Sequence, residues 1–136
     1  MKIFGVAKSL SIVAACLVAC FGLTACNTKG EQPTGQKIPD GFKINCYPKS
    51  ECTKVDTTPL GDKKFAYVVI LKTKDDRFKV ETFYKTEIAM SGYKLLNDIQ
   101  NANNIQMKAV SDEYNLDIDI ITVEYQTIVS ISWRPR

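Results

Sequence analysis

The stretch TIVSISWR, residues 127–134, puts Val129, Ile131 and Trp133 on one face of an extended chain and Ser130 and Ser132 on the other. Successive side chains of a strand point to opposite faces, so this pattern demands a sheet with one buried face. Upstream, Leu116, Ile118 and Ile120 alternate with Asp117 and Asp119. The phase blurs at Ile121 and Val123, as a bulge would cause. Only a short turn separates the two runs, which predicts an antiparallel hairpin. Pro135 then ends the ladder, because it has no N–H to give.

The rest of the domain is read around that hairpin. Ile105, Met107 and Ala109 alternate with Gln106 and Lys108, after a turn-forming Asn-Ala-Asn-Asn at 101–104. Residues 93–99 form another candidate strand. The run KKFAYVVILK at 63–72 is rich in aromatic and β-branched residues, and its continuous apolar stretch predicts a central strand buried on both faces. Between them Val80, Phe83, Tyr84 and Ile88 fall on one face of a helix, while Phe78, Val80 and Tyr84 also alternate as in a strand. The ends decide for a helix over 76–91. Asp75 and Asp76 stand where the dipole favours negative charge, and Gly92 stands where a left-handed turn closes a helix. The expected fold is α+β. One helix, offering Val80, Phe83, Tyr84 and Ile88, packs on a single, mostly antiparallel sheet of about five strands, with a disulfide-stapled segment ahead of it. The sheet offers Val129, Ile131, Trp133 and part of 68–71.

The N-terminus carries Lys2 and Lys8 and then a nearly unbroken apolar run, residues 9–22. A basic region followed by a short apolar one is the pattern of a signal peptide. The uncharged run over 9–28 is about long enough to span a bilayer, yet it lacks a basic stop-transfer flank. It ends in Leu23-Thr24-Ala25-Cys26, which resembles the lipobox of bacterial lipoproteins. That resemblance covers residues 1–26. It implies a diacylglyceryl thioether on Cys26, cleavage after Ala25 and acylation of the new amine. Two or more acyl chains anchor stably, at about 0.8 kcal/mol per buried methylene. The rival is an ordinary secretory signal with a chance cysteine. Asn27 stands where an Asp often marks inner-membrane retention, so the outer membrane is favoured if the host has two membranes.

Three regions follow: a signal peptide at 1–25, a lipidated cysteine and flexible linker at 26–40, and a single globular domain at 41–136. The linker has two glycines and two prolines between 27 and 40, and would span roughly 20 Å root-mean-square. Loss of Lys2 and Lys8 leaves sixteen bases against fifteen acids, with no basic cluster of the kind nucleic acid requires. Residues 27–85 hold twelve bases and eight acids, and residues 86–136 hold four and seven. Cys46 and Cys52 flank YPKSE, and in an oxidising compartment the expected state is a disulfide, contributing of order 2 kcal/mol. A metal site is the alternative, but the chain has no histidine.

The stretch VETFYKTEIAMSGYKLL resembles a loose pattern of small exported bacterial proteins, often lipoproteins, in which a Phe-Tyr-Lys helix leads through a glycine into strands. It implies fold and location and carries no site residues. Without histidine, the commonest catalytic base and metal ligand is missing, so serine–histidine and cysteine–histidine chemistry are excluded. Asp112, Glu113, Asp117 and Asp119 are the one acidic cluster. Their turn lacks the glycine of a calcium loop, so solvated hairpin is the expected role. Trp133, Tyr84 and Tyr93 are read as core or sheet rather than ligand contacts. The expected function is a membrane-anchored envelope lipoprotein with a non-enzymatic binding or assembly role and an envelope protein partner. No catalytic residue, metal, cofactor or nucleic acid is expected. One alternative is an inhibitor such as a membrane-bound lysozyme inhibitor, a class of small disulfide-bearing lipoproteins built as barrels without a central helix. Another is an enzyme.

Overall fold

The computed structural model describes residues 32–136. The expected signal peptide, the lipobox-like tetrapeptide and Cys26 lie outside the described residues. The elements are β1 (Thr34–Gly35), β2 (Glu51–Gly61), β3 (Lys64–Thr73), α1 (Arg77–Met90), β4 (Lys94–Gln100), β5 (Asn104–Val110), β6 (Tyr114–Val123) and β7 (Gln126–Pro135).

The strands form one sheet in the order β1-β2-β3-β7-β6-β5-β4. All neighbours are antiparallel except β1 and β2, which run parallel. This corrects the expected fold class. Among the described residues the fold is mostly sheet, with seven strands and a single helix rather than about five strands. The added strands are β1 and β2. In β2 only Cys52 is buried, and the other side chains of ECTKVDTTPLG stay in water or half-buried. Along most of its length β2 is a sheet edge, so no apolar alternation marks it. Pro59 near its end further disguises it.

The disulfide staple is corrected too: Cys46 and Cys52 are free thiols. They belong to different elements. Cys52 belongs to the β2 ladder opposite Leu71, with its Sγ 3.7 Å from the Lys54 carbonyl oxygen. Cys46 lies in an irregular segment whose neighbours on both sides are hydrogen-bonded to α1.

The helix ends where its caps dictate. Asp76 accepts a hydrogen bond from the Phe78 N–H at 2.8 Å, satisfying one of the orphan donors of the first turn. At the other end Gly92 takes φ +77°, and Tyr93 N–H reaches back to the Ile88 carbonyl at 3.0 Å. With Gly92 N–H directed at the Ala89 carbonyl, this is a Schellman closure. Val80, Tyr84 and Ile88, spaced four apart, are buried against the sheet, while Phe83 is half-buried at the helix flank.

One face of the sheet holds the core: Val69 and Leu71 of β3, Val129, Ile131 and Trp133 of β7, and their neighbours on β5 and β6. The helix covers part of that face. An irregular strap, residues 38–50, covers the rest through Phe42, Ile44 and Tyr47, all buried. The other face is open. Val68 and Ile70, expected to be buried like the rest of β3, are only half-buried there, alongside Ser130 and Ser132. A continuous apolar run therefore does not mark a two-sided core in this sheet.

Candidate functional site

The strap is irregular, so its polar groups need partners outside any ladder. The helix supplies them. Glu87 Oε1 accepts from Asn45 N–H at 3.2 Å, from Asn45 Nδ2 at 2.9 Å and from Ser91 Oγ at 3.1 Å. The Tyr84 hydroxyl accepts from Tyr47 N–H at 3.0 Å. Tyr47 in turn donates its hydroxyl to Asp75 Oδ2 at 2.7 Å. Burial, with this hydrogen bond to Asp75 second, pushes the Tyr47 hydroxyl up to about 12. Tyr84 is held well above its ordinary value, chiefly by burial.

Outside this network the strap and residues 32–37 enclose a groove of about 740 Å³, walled by Ile38, Phe42, Ile44 and Phe83, with Asn45 and Cys46 at its side. The volume is in the range of small-molecule sites. Its chemistry favours holding over reacting. Burial first, then the neighbouring Cys52 and Glu87, pushes the Cys46 thiol up to about 12, so the nucleophilic thiolate is suppressed. The Cys52 thiol is also raised, by burial.

The other candidates from the sequence are dispersed or absorbed into packing. Asp112 and Glu113 sit in the β5–β6 turn beside Arg136 and Lys94. Asp117 lies on the open face of β6, 3.6 Å from Arg134 and 3.9 Å from Lys108. No group of three or more metal-ligating side chains forms among the described residues. Trp133 is buried, stacked on Tyr114 at 4.1 Å, and donates its indole N–H to the Tyr93 hydroxyl at 2.8 Å. Its ring is filled by protein on the core side.

A further open surface is the far edge. β4 is the last strand, so one row of its backbone N–H and C=O groups has no strand partner. Every residue of β4 is exposed, and these include Leu95, Leu96 and Ile99. A register shift between Leu95 and Asn97 marks a bulge at Leu96, which is 58% exposed. Asp98 is turned toward α1, where Lys85 bridges it and the buried Glu81, at 2.6 Å to each. Adjacent leucines in a short exposed strand were visible in the sequence as KLL. The groove residues Ile38, Phe42 and Ile44 were hidden in a segment read as linker and staple. No described helix is long and apolar enough to cross a membrane. No protein-family profile, curated protein or solved structure matches the chain.

Proposed function

We propose that this chain is a membrane-anchored envelope lipoprotein that binds or scaffolds another envelope component and performs no catalysis. Two features support the reading. The lipobox-like Leu23-Thr24-Ala25-Cys26 supplies the anchor, and the unpaired β4 edge, studded with Leu95, Leu96 and Ile99, supplies a surface for strand addition by a partner protein. The β4 edge is the observation that carries the binding role. Main-chain hydrogen bonds would give affinity, and the exposed apolar side chains would give specificity.

The test is crosslinking in intact cells with the lipid retained, followed by mass spectrometry of what is captured. One dominant envelope protein is expected with the native chain and should be lost in a Leu96→Lys, Ile99→Lys variant that charges the edge. Capture unchanged by that variant would reject the edge as the site. Cys26→Ser should release the protein from the membrane fraction and weaken the same complex. The helix Arg77–Met90 counts against the lysozyme-inhibitor alternative, whose barrels have no central helix. An assay of lysozyme activity with the purified protein should show no inhibition.

A further inference from the structure

The chain enters the fold at one end of the sheet. Thr34 N–H donates to the Ser50 carbonyl at 3.0 Å, Gln36 N–H to the Cys52 carbonyl at 2.9 Å, and Val55 N–H to Gln36 Oε1 at 3.0 Å. Gly35 lies so close to β2, at φ +93°, that a Cβ there would collide with the Cys52 carbonyl oxygen. The tether is thus docked from Thr34 onward. From Cys26 to Thr34 the chain can reach at most about 28 Å, against about 50 Å if it were free up to Gly41.

The end of the sheet from which Thr34 leaves carries exposed basic and aromatic side chains together. Thr34 pairs with Glu51, Glu51 with Lys72, and Thr73 with Thr127. The 47–50 loop, the β3–α1 connection and the β6–β7 turn therefore cluster there. They expose Lys49, Lys74 and Lys79, none of which makes an ion pair among the described residues. Beside them stand two exposed aromatics: Phe78, 50% exposed beneath the Arg77 guanidinium, and Tyr125, 99% exposed at the hairpin tip. Of the nearby acids, Asp75 accepts from Tyr47 and Asp76 caps the helix, leaving Glu51 at the start of β2 and Glu124 in the turn.

Basic side chains beside exposed aromatics are the composition of surfaces that rest at a bilayer's headgroup level. We infer that this end of the sheet, carrying Lys49, Lys74, Phe78, Lys79 and Tyr125, is a membrane-facing surface that contacts anionic headgroups and turns the opposite end, with the β5–β6 turn, toward the aqueous phase. The inference rests on the lipoprotein reading for the anchor at Cys26.

The experiment places the lipidated mature protein in nanodiscs containing anionic lipid and a small fraction of lipid bearing a gadolinium chelate, and reads amide NMR signal loss. Amides at 74–79 and 123–126 should be attenuated several-fold more than those at 62–63 and 111–113. Phe78→Ser with Tyr125→Ser, both at exposed positions, should flatten that gradient, as should high salt, which screens the lysines. Equal attenuation at both ends, or stronger loss at 62–63 and 111–113, would overturn the inference. Absence of a lipid on Cys26, read by mass spectrometry, would reject the lipoprotein reading instead. The orientation would then be tested with a hexahistidine tag at residue 26 on nickel-chelating lipids, where the same gradient is expected.

Discussion

The two halves of the sheet's covered face are built by opposite means. Over one half lies α1, a regular helix whose backbone satisfies itself and whose Val80, Tyr84 and Ile88 point into the core. Over the other lies the strap, which buries Phe42, Ile44 and Tyr47 without a helix or ladder of its own. The strap is possible because the helix lends it acceptors, Glu87 for Asn45 and Tyr84 for Tyr47. An irregular segment can cover a core when each buried N–H it brings finds a partner already held in place. The helix is therefore expected to stand without the strap, but not the strap without the helix.

Tyr84 is where that dependence concentrates, since it is fully buried and also receives the Tyr47 N–H. Tyr84→Ala removes a large core side chain and orphans a buried donor. The expected loss is about 4 kcal/mol of unfolding free energy, read by denaturant titration. Phe42→Ala should cost less, about 3 kcal/mol, because the strap can relax outward over the space its ring leaves. Hydrogen exchange separates the two. In Phe42→Ala, amides of 42–47 should lose protection while those of β6 and β7 keep it. In Tyr84→Ala both sets should lose it. Equal loss across the sheet in Phe42→Ala would show that the strap and the sheet unfold as one unit.

The same contrast explains what could be read from the residues. The helix announced itself through Asp76 and Gly92, and β5, β6 and β7 through alternation, because each buries one face and so leaves a period in the sequence. Strand β2 left none, since one buried residue in eleven makes no pattern. β1 is two residues long and depends on Gly35 rather than on any apolar residue. The strap's Phe42 and Ile44 were visible as apolar residues, but their partner, Glu87, lies 42 residues away from Asn45, and no local rule links them. The cysteine spacing suggested a staple because spacing reports chain length between thiols. The direction of each side chain is set by different elements, β2 for Cys52 and the strap for Cys46.

A smaller effect sharpens the account of how the strap is held. Glu87→Gln keeps the shape of the side chain but removes the charge that strengthens its hydrogen bonds to Asn45 and Ser91. The expected cost is about 1 kcal/mol, with exchange faster at Asn45 and unchanged in β6. A cost near that of Tyr84→Ala would mean that Glu87, not the aromatic contacts, holds the strap.

The smallest effect at neutral pH, and the most informative at high pH, concerns Cys46. In the folded chain its thiol is pushed from an ordinary 9.0 up to about 12, and Tyr47 from 10.0 to about 12. In the unfolded chain both lose protons at their ordinary values. Between pH 9 and 12 the unfolded state thus binds fewer protons than the folded one, and stability falls as pH rises. Below pH 9 the contribution is fully present and the curve should be flat with respect to these groups. Cys46→Ser removes one of the two raised thiols and leaves Cys52, so its denaturant midpoint should fall less steeply from pH 9 than the wild type's, with Tyr47 adding to the fall above pH 10. Because Tyr47 and Cys46 both belong to the strap, the loss should appear first as exchange at 42–47, before the helix half responds. If the wild type and Cys46→Ser fall with the same slope from pH 9, the Cys46 thiol is not desolvated in solution, and the strap does not close over it as tightly as its packing against the core requires.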